Sequence, residues 1–97
     1  MRLLLRSLGV DFETQVQLPG VGRVDFLVDG WLIIECDSRE FHEGWGKQVE
    51  DRRRDIAAAR LGYVTIRPLA TEILRDDSTV RDMLQGVIST LGPRFTA

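Results

Sequence analysis

Cysteine occurs once in this sequence, at Cys36, and histidine once, at His42. A lone cysteine excludes an internal disulfide, and the expected compartment is the reducing cytoplasm. One cysteine and one histidine are also too few for a zinc site of the usual kind. No apolar run approaches the roughly 20 residues that a membrane-spanning helix needs. Four leucines among the first eight residues make neither a signal peptide nor a span. An excess of positive charge is missing too, since the formal net charge is -2. That argues against a passive nucleic-acid coat, which binds phosphate through bulk positive charge. It leaves room for an enzyme that meets nucleic acid through a local patch. Internal repeats, low-complexity tracts and linkers are absent.

What is present is 97 residues, 43% of them hydrophobic and 29% charged. One small domain with a single core is expected over 1–97. "MRLLLRSLG" reads as the last two turns of a helix, with Leu4, Leu5 and Leu8 on one stripe and Gly9 as its stop. Short helices are weak alone, so these turns are expected to close a longer first helix that is partly missing. "FETQVQL" predicts a strand over about Phe12 to Leu18, and "PGVG" a turn. "RVDFLV" predicts a second strand, with Val24, Phe26 and Val28 on one face and Asp25 and Leu27 on the other. Asp29-Gly30 is a hairpin signal. "WLIIEC" reads as a third strand, and its unbroken apolar run suits a position covered on both faces. A loop over 38–46 leads to a helix ending near Leu61. "YVTIR" is a fourth strand, and "TEIL" a helical turn. The final helix carries Val80, Met83, Leu84, Val87, Ile88 and Leu91, with Asp77 or Ser78 as its cap and Gly92 as its stop. A crossover helix between strands three and four implies a parallel pair, so the fold class is α/β, a mixed sheet of about four strands flanked by helices.

The stretch "LIIECDSREFH" raises the functional question. A buried-looking strand runs into Glu35 and Asp37, with His42 close behind. The hairpin turn sets residue 25 opposite about residue 34, one step from Glu35. Neighbouring strands lie about 5 Å apart, so the Asp25 and Glu35 carboxylates are expected near one another. Asp37 falls on the same side as Glu35, because side chains alternate with period two. Converging acids repel unless a cation neutralises them, and Mg²⁺ or Mn²⁺ takes carboxylate and carbonyl oxygens. Such an ion can activate water against a phosphate. The plainer alternative, solvated acids at a sheet edge, fits Asp29 better than the Asp25 and Glu35 pair. His42 is either a surface residue or a general acid or base. Cys36 points to the opposite face and reads as a small core residue. On the helix "EDRRRDIAAAR", one stripe holds Val49, Arg53, Ile56 and Arg60, the other Asp51, Arg54, Ala58 and Leu61. Spacing does not choose between them. In the second, Arg54 can reach a phosphate near the acids.

Taken in order, "GRVDFLVDGWLIIECDSREFH", "DRRRD" and "LGYVTIR" resemble the small PD-(D/E)XK-type nucleases related to the very-short-patch-repair endonuclease. The likeness covers about residues 12–75. Each piece alone is weak, while their order and spacing together are fairly specific. The resemblance implies a restriction-endonuclease-like sheet and a metal-dependent hydrolase acting on DNA. By position, Asp25 matches the metal-binding Asp and Glu35 the acid of the E-x-K element. Asp37 stands where many relatives have Lys, and His42 matches the family His. The backbone carbonyl of Cys36 would be a further metal ligand. Asp51, Arg54 and Asp55 match the helix motif, which favours the second stripe. Ser38 replaces a usual Gly, and the missing Lys leaves the water to His42 or Asp37. The family often carries a Glu in the first helix, which this chain begins too late to include. Two rival expectations stand beside this one. The first is a nuclease fold without catalysis, acting as a DNA- or protein-binding module. The second is a homodimer formed through the first strand and Leu3, Leu4 and Leu5.

Overall fold

A computed structural model describes residues 1–37 and 44–96. The order is α1 (Arg2–Ser7), β1 (Phe12–Leu18), β2 (Gly22–Val28), β3 (Leu32–Ile34), α2 (Trp45–Arg60), β4 (Val64–Ile66), α3 (Ala70–Arg75), α4 (Asp77–Leu91) and α5 (Pro93–Thr96). One four-stranded sheet holds them together in the order β1-β2-β3-β4. The first three strands form an antiparallel meander, and β3 and β4 are parallel across α2. This is the mixed sheet flanked by helices that the sequence predicts. No helix among the described residues is long and apolar enough to cross a membrane.

The apolar run of β3 explains its central place. Leu32 and Ile34 are fully buried with Leu4 and Leu5 of α1 and Val80 and Leu84 of α4. Ile33 turns the other way and packs with Leu18, Val24 and Ala58 of α2. Each face of the sheet therefore has its own helical cover. Against the second face, α2 presents the stripe that holds Asp51 and Ala58, both buried, while Ile56 of the first stripe is 60% exposed.

Four details differ from expectation. The β2–β3 turn has three residues, with Asp29 and Gly30 at φ 51° and 79° and the Trp31 N–H donating to Val28 O at 3.1 Å. The pairs are consequently Val28 with Leu32 and Phe26 with Ile34, one residue further along than a two-residue turn gives. Strict alternation also fails in β2, where Val24 packs on the α2 side while Phe26 and Val28 pack on the α1 and α4 side. The switch falls at Asp25. Opposite it, Gln15 adopts φ 52°, and the β1–β2 pairs pass from Thr14–Phe26 to Val16–Val24 across this point. A left-handed residue in a strand kinks the chain and re-aims the side chains beside it. At α4, the capping residue is Asp76, whose Oδ1 accepts from the Ser78 N–H at 3.0 Å and the Ser78 hydroxyl at 2.7 Å. Gly92 keeps a right-handed helical conformation, and α5 follows at once, with Phe95 stacked on Trp31 at 4.5 Å.

Candidate active site at the β2–β3 edge

Asp25 and Glu35 sit directly across from one another, one step beyond the Phe26–Ile34 pair. Each accepts a hydrogen bond from the other's strand. The Asp25 N–H donates to Glu35 Oε2 at 3.3 Å, and the Cys36 N–H donates to Asp25 Oδ2 at 3.1 Å. These bonds fix both carboxylates where the regular ladder ends. The longer turn produces this arrangement, because it moves the partner of Asp25 from residue 34 to Glu35 itself.

Arg54 reaches the pair from α2. Its Nη2 donates to Glu35 Oε1 at 3.3 Å and to the Arg23 carbonyl at 2.6 Å. One nitrogen thus ties the helix to the ends of β2 and β3. Glu35 is only 9% exposed. Burial pushes its carboxyl above the usual carboxylate range, and the Asp25 charge and the hydrogen bond between the two carboxyl groups push the same way. The Asp25 N–H and the Arg54 guanidinium oppose the rise without cancelling it.

Asp37 is half-buried just past this pair. Its N–H donates to Pro68 O at 3.0 Å, and its carbonyl accepts from the Ala70 N–H at 2.8 Å, which stitches it to the start of α3. Cys36 is half-buried and packs against the core on the α1 and α4 side, as a small core residue does. Burial pushes its thiol up, as does the charge of Asp25. His42, Ser38 and Arg39 lie outside the described residues.

Sequence reasoning passed over Arg67. At the end of β4 it grips Asp55 of α2 with two parallel bonds, Nη2 to Oδ1 at 2.6 Å and Nε to Oδ2 at 3.0 Å. The Asp55 bond raises the guanidinium's pKa, and the charges of Glu35 and Asp37 add to it. Glu35, Arg54, Asp55 and Arg67 line one close-packed patch between α2 and the sheet. The available signal was an arginine closing an apolar strand just before Pro68. Every buried side-chain nitrogen and oxygen among the described residues has a partner.

Two facing carboxylates are oxygen donors of the kind that a hard divalent cation takes. The like charges pressed together at Asp25 and Glu35 are the kind that such a cation relieves. Among the described residues, no three His, Cys, Asp or Glu side chains form a group that could hold a metal ion. Comparison with protein-family models, curated proteins and solved structures finds no match for this chain.

Proposed function

We propose that this chain is a metal-dependent endonuclease-like domain that hydrolyses DNA phosphodiester bonds in the cytoplasm. The observation that carries the reading is the facing pair of Asp25 and Glu35 with Arg54 brought against it from α2. Asp25, Glu35 and the Cys36 backbone carbonyl are the residues that would hold Mg²⁺ or Mn²⁺. When bound, such an ion supplies an acidified water and positive charge against the phosphate. The chain's own groups do the rest. Asp25 and Glu35 concentrate negative charge at one strand end. Arg54 partly neutralises Glu35 and brings a guanidinium, which suits phosphate oxygens, to the same place. Asp37 and His42 are the groups assigned to orient or deprotonate the attacking water.

The test is cleavage of single-stranded, duplex and mismatched DNA with Mg²⁺ or Mn²⁺, beside Asp25→Ala. Cleavage that needs both metal and Asp25 is the expected result. A second reading, the nuclease fold as a binding module, is favoured by the two-carboxylate composition of the site among the described residues. DNA retention with no cleavage under either metal would select it. A homodimer through β1 draws no support from the strand itself. The kink at Gln15 interrupts the edge that a second copy would extend.

A further inference from the structure

The outer side of α2 is charged against the rest of the molecule. Arg52, Arg53 and Arg60 are exposed there, with Glu50 as the one exposed acid of α2, in a chain of net charge -2. Glu50 is met by Lys47 at 3.9 Å. Asp55 is held by Arg67. At the start of this face stands Trp45, 67% exposed, with the Arg52 guanidinium 5.6 Å from its ring centroid. An indole left this open is unusual beside a core that buries Trp31 to 4%. Between the β1–β2 turn and α2 lies a cleft of about 320 Å³, lined by Gly20, Gly46, Val49, Arg53 and Arg54 among others. Arg54 lines this cleft and also contacts Glu35, so its side chain stands between the cleft and the carboxylate pair.

We infer that this face of α2 binds an unpaired DNA strand, with a base stacked on Trp45 and its phosphates along Arg52 and Arg53 towards Arg54. The inference rests on the reading of the neighbouring site as one that meets DNA, and it adds the form of the substrate. The physical reason is the pairing of a π-face with cations. Aromatic side chains stack any base, but only a base not already stacked in a duplex can reach one lying flat on a helix. Arginines beside it neutralise the backbone. The Arg52 guanidinium takes one face of the indole, which leaves the other face for a base. The charge argument disfavours a symmetric dimer through this face, because a second α2 would bring like charges together.

The experiment is fluorescence anisotropy of the whole chain with a labelled oligothymidylate, and with a duplex of equal length, in EDTA so that no strand is cut. The single strand is expected to bind tighter. Trp45→Ala should weaken it by about fivefold or more while Trp45→Phe keeps most of the affinity. Arg52→Ala and Arg53→Ala should each make the log–log salt dependence shallower by about 0.7. Far-UV circular dichroism confirms that each variant is folded. Duplex binding as tight as the single strand, or oligothymidylate affinity indifferent to Trp45→Ala, overturns the inference. So does a dimer in light scattering that Trp45→Ala dissolves, which would make a second copy the occupant. The two readings fail separately. Metal-dependent cleavage lost in Asp25→Ala, with binding untouched at Trp45, would sink the surface and keep the site. Binding through Trp45 with no cleavage would keep the surface and sink the hydrolase.

Discussion

Arg54 Nη2 lies 3.3 Å from Glu35 Oε1 and 2.6 Å from the Arg23 carbonyl oxygen, so a single helical side chain closes the ends of two strands over a buried acid. Removing it strips Glu35 of its direct ion-pair partner while Asp25 still faces it. Arg54→Ala should destabilise the fold at neutral pH by about 1–3 kcal/mol, the usual cost of stripping a charged partner from a buried group. Urea unfolding reads this directly. An unchanged midpoint would mean that the contact is only incidental.

Glu35 also gives the stability a pH dependence of definite sign. Its folded-state pKa is raised, chiefly by burial and then by Asp25, above the unfolded value of about 4.3. The folded state therefore holds this proton more tightly than the unfolded chain. The contribution is fully present below the unfolded pKa and is lost as pH rises through the folded one. Glu35→Gln should unfold at higher urea than the parent at neutral pH, with the difference fading near pH 4. Equal midpoints for parent and variant across that range would contradict the assignment.

The Asp55–Arg67 grip is the other tie between α2 and the sheet. Its carboxylate side chain is 38% exposed, so its worth is discounted for solvent to about 0.5–1.5 kcal/mol. Either single alanine substitution should cost about that much. The reversed pair, Asp55→Arg with Arg67→Asp, should recover part of the loss. A double-mutant cycle with no coupling would show that the two residues act independently.

Gln15 holds φ 52° in the middle of β1. A β-branched residue suits strands in general but resists this conformation strongly. Gln15→Val should therefore lower stability by about 1–2 kcal/mol even though it raises strand propensity. Thermal or urea unfolding checks it. A neutral or stabilising result would mean that the kink relaxes without cost.

Much of the architecture was readable from local signals. β1 came out at its observed bounds because turn residues bracket an alternating run. β3 was placed at the centre by three consecutive apolar residues, and its partners bear this out. The acids were legible as a group because each interrupts apolar sequence. Three things were hidden. Asp29-Gly30 signals a hairpin but does not say whether Trp31 joins the turn, and that one residue decides whether Asp25 meets Ile34 or Glu35. The kink at Gln15 has no local signature, since glutamine has no preference for positive φ. The grip of Arg67 on Asp55 joins residues from different elements, which periodicity within either element does not report.

By itself the sequence determined the element order as far as α4, the mixed sheet and the presence of two carboxylates in or beside strands, because turn chemistry and hydrophobic period act over a few residues. Spacing left open which stripe of α2 faces the sheet, the family resemblance favoured the second, and the tertiary structure decided it. Two stripes of similar composition compete there, and the winner is the one whose Ala58 fits against Ile33 while Arg54 reaches Glu35. That choice depends on shape and charge across elements distant in the chain, where local pattern carries no information.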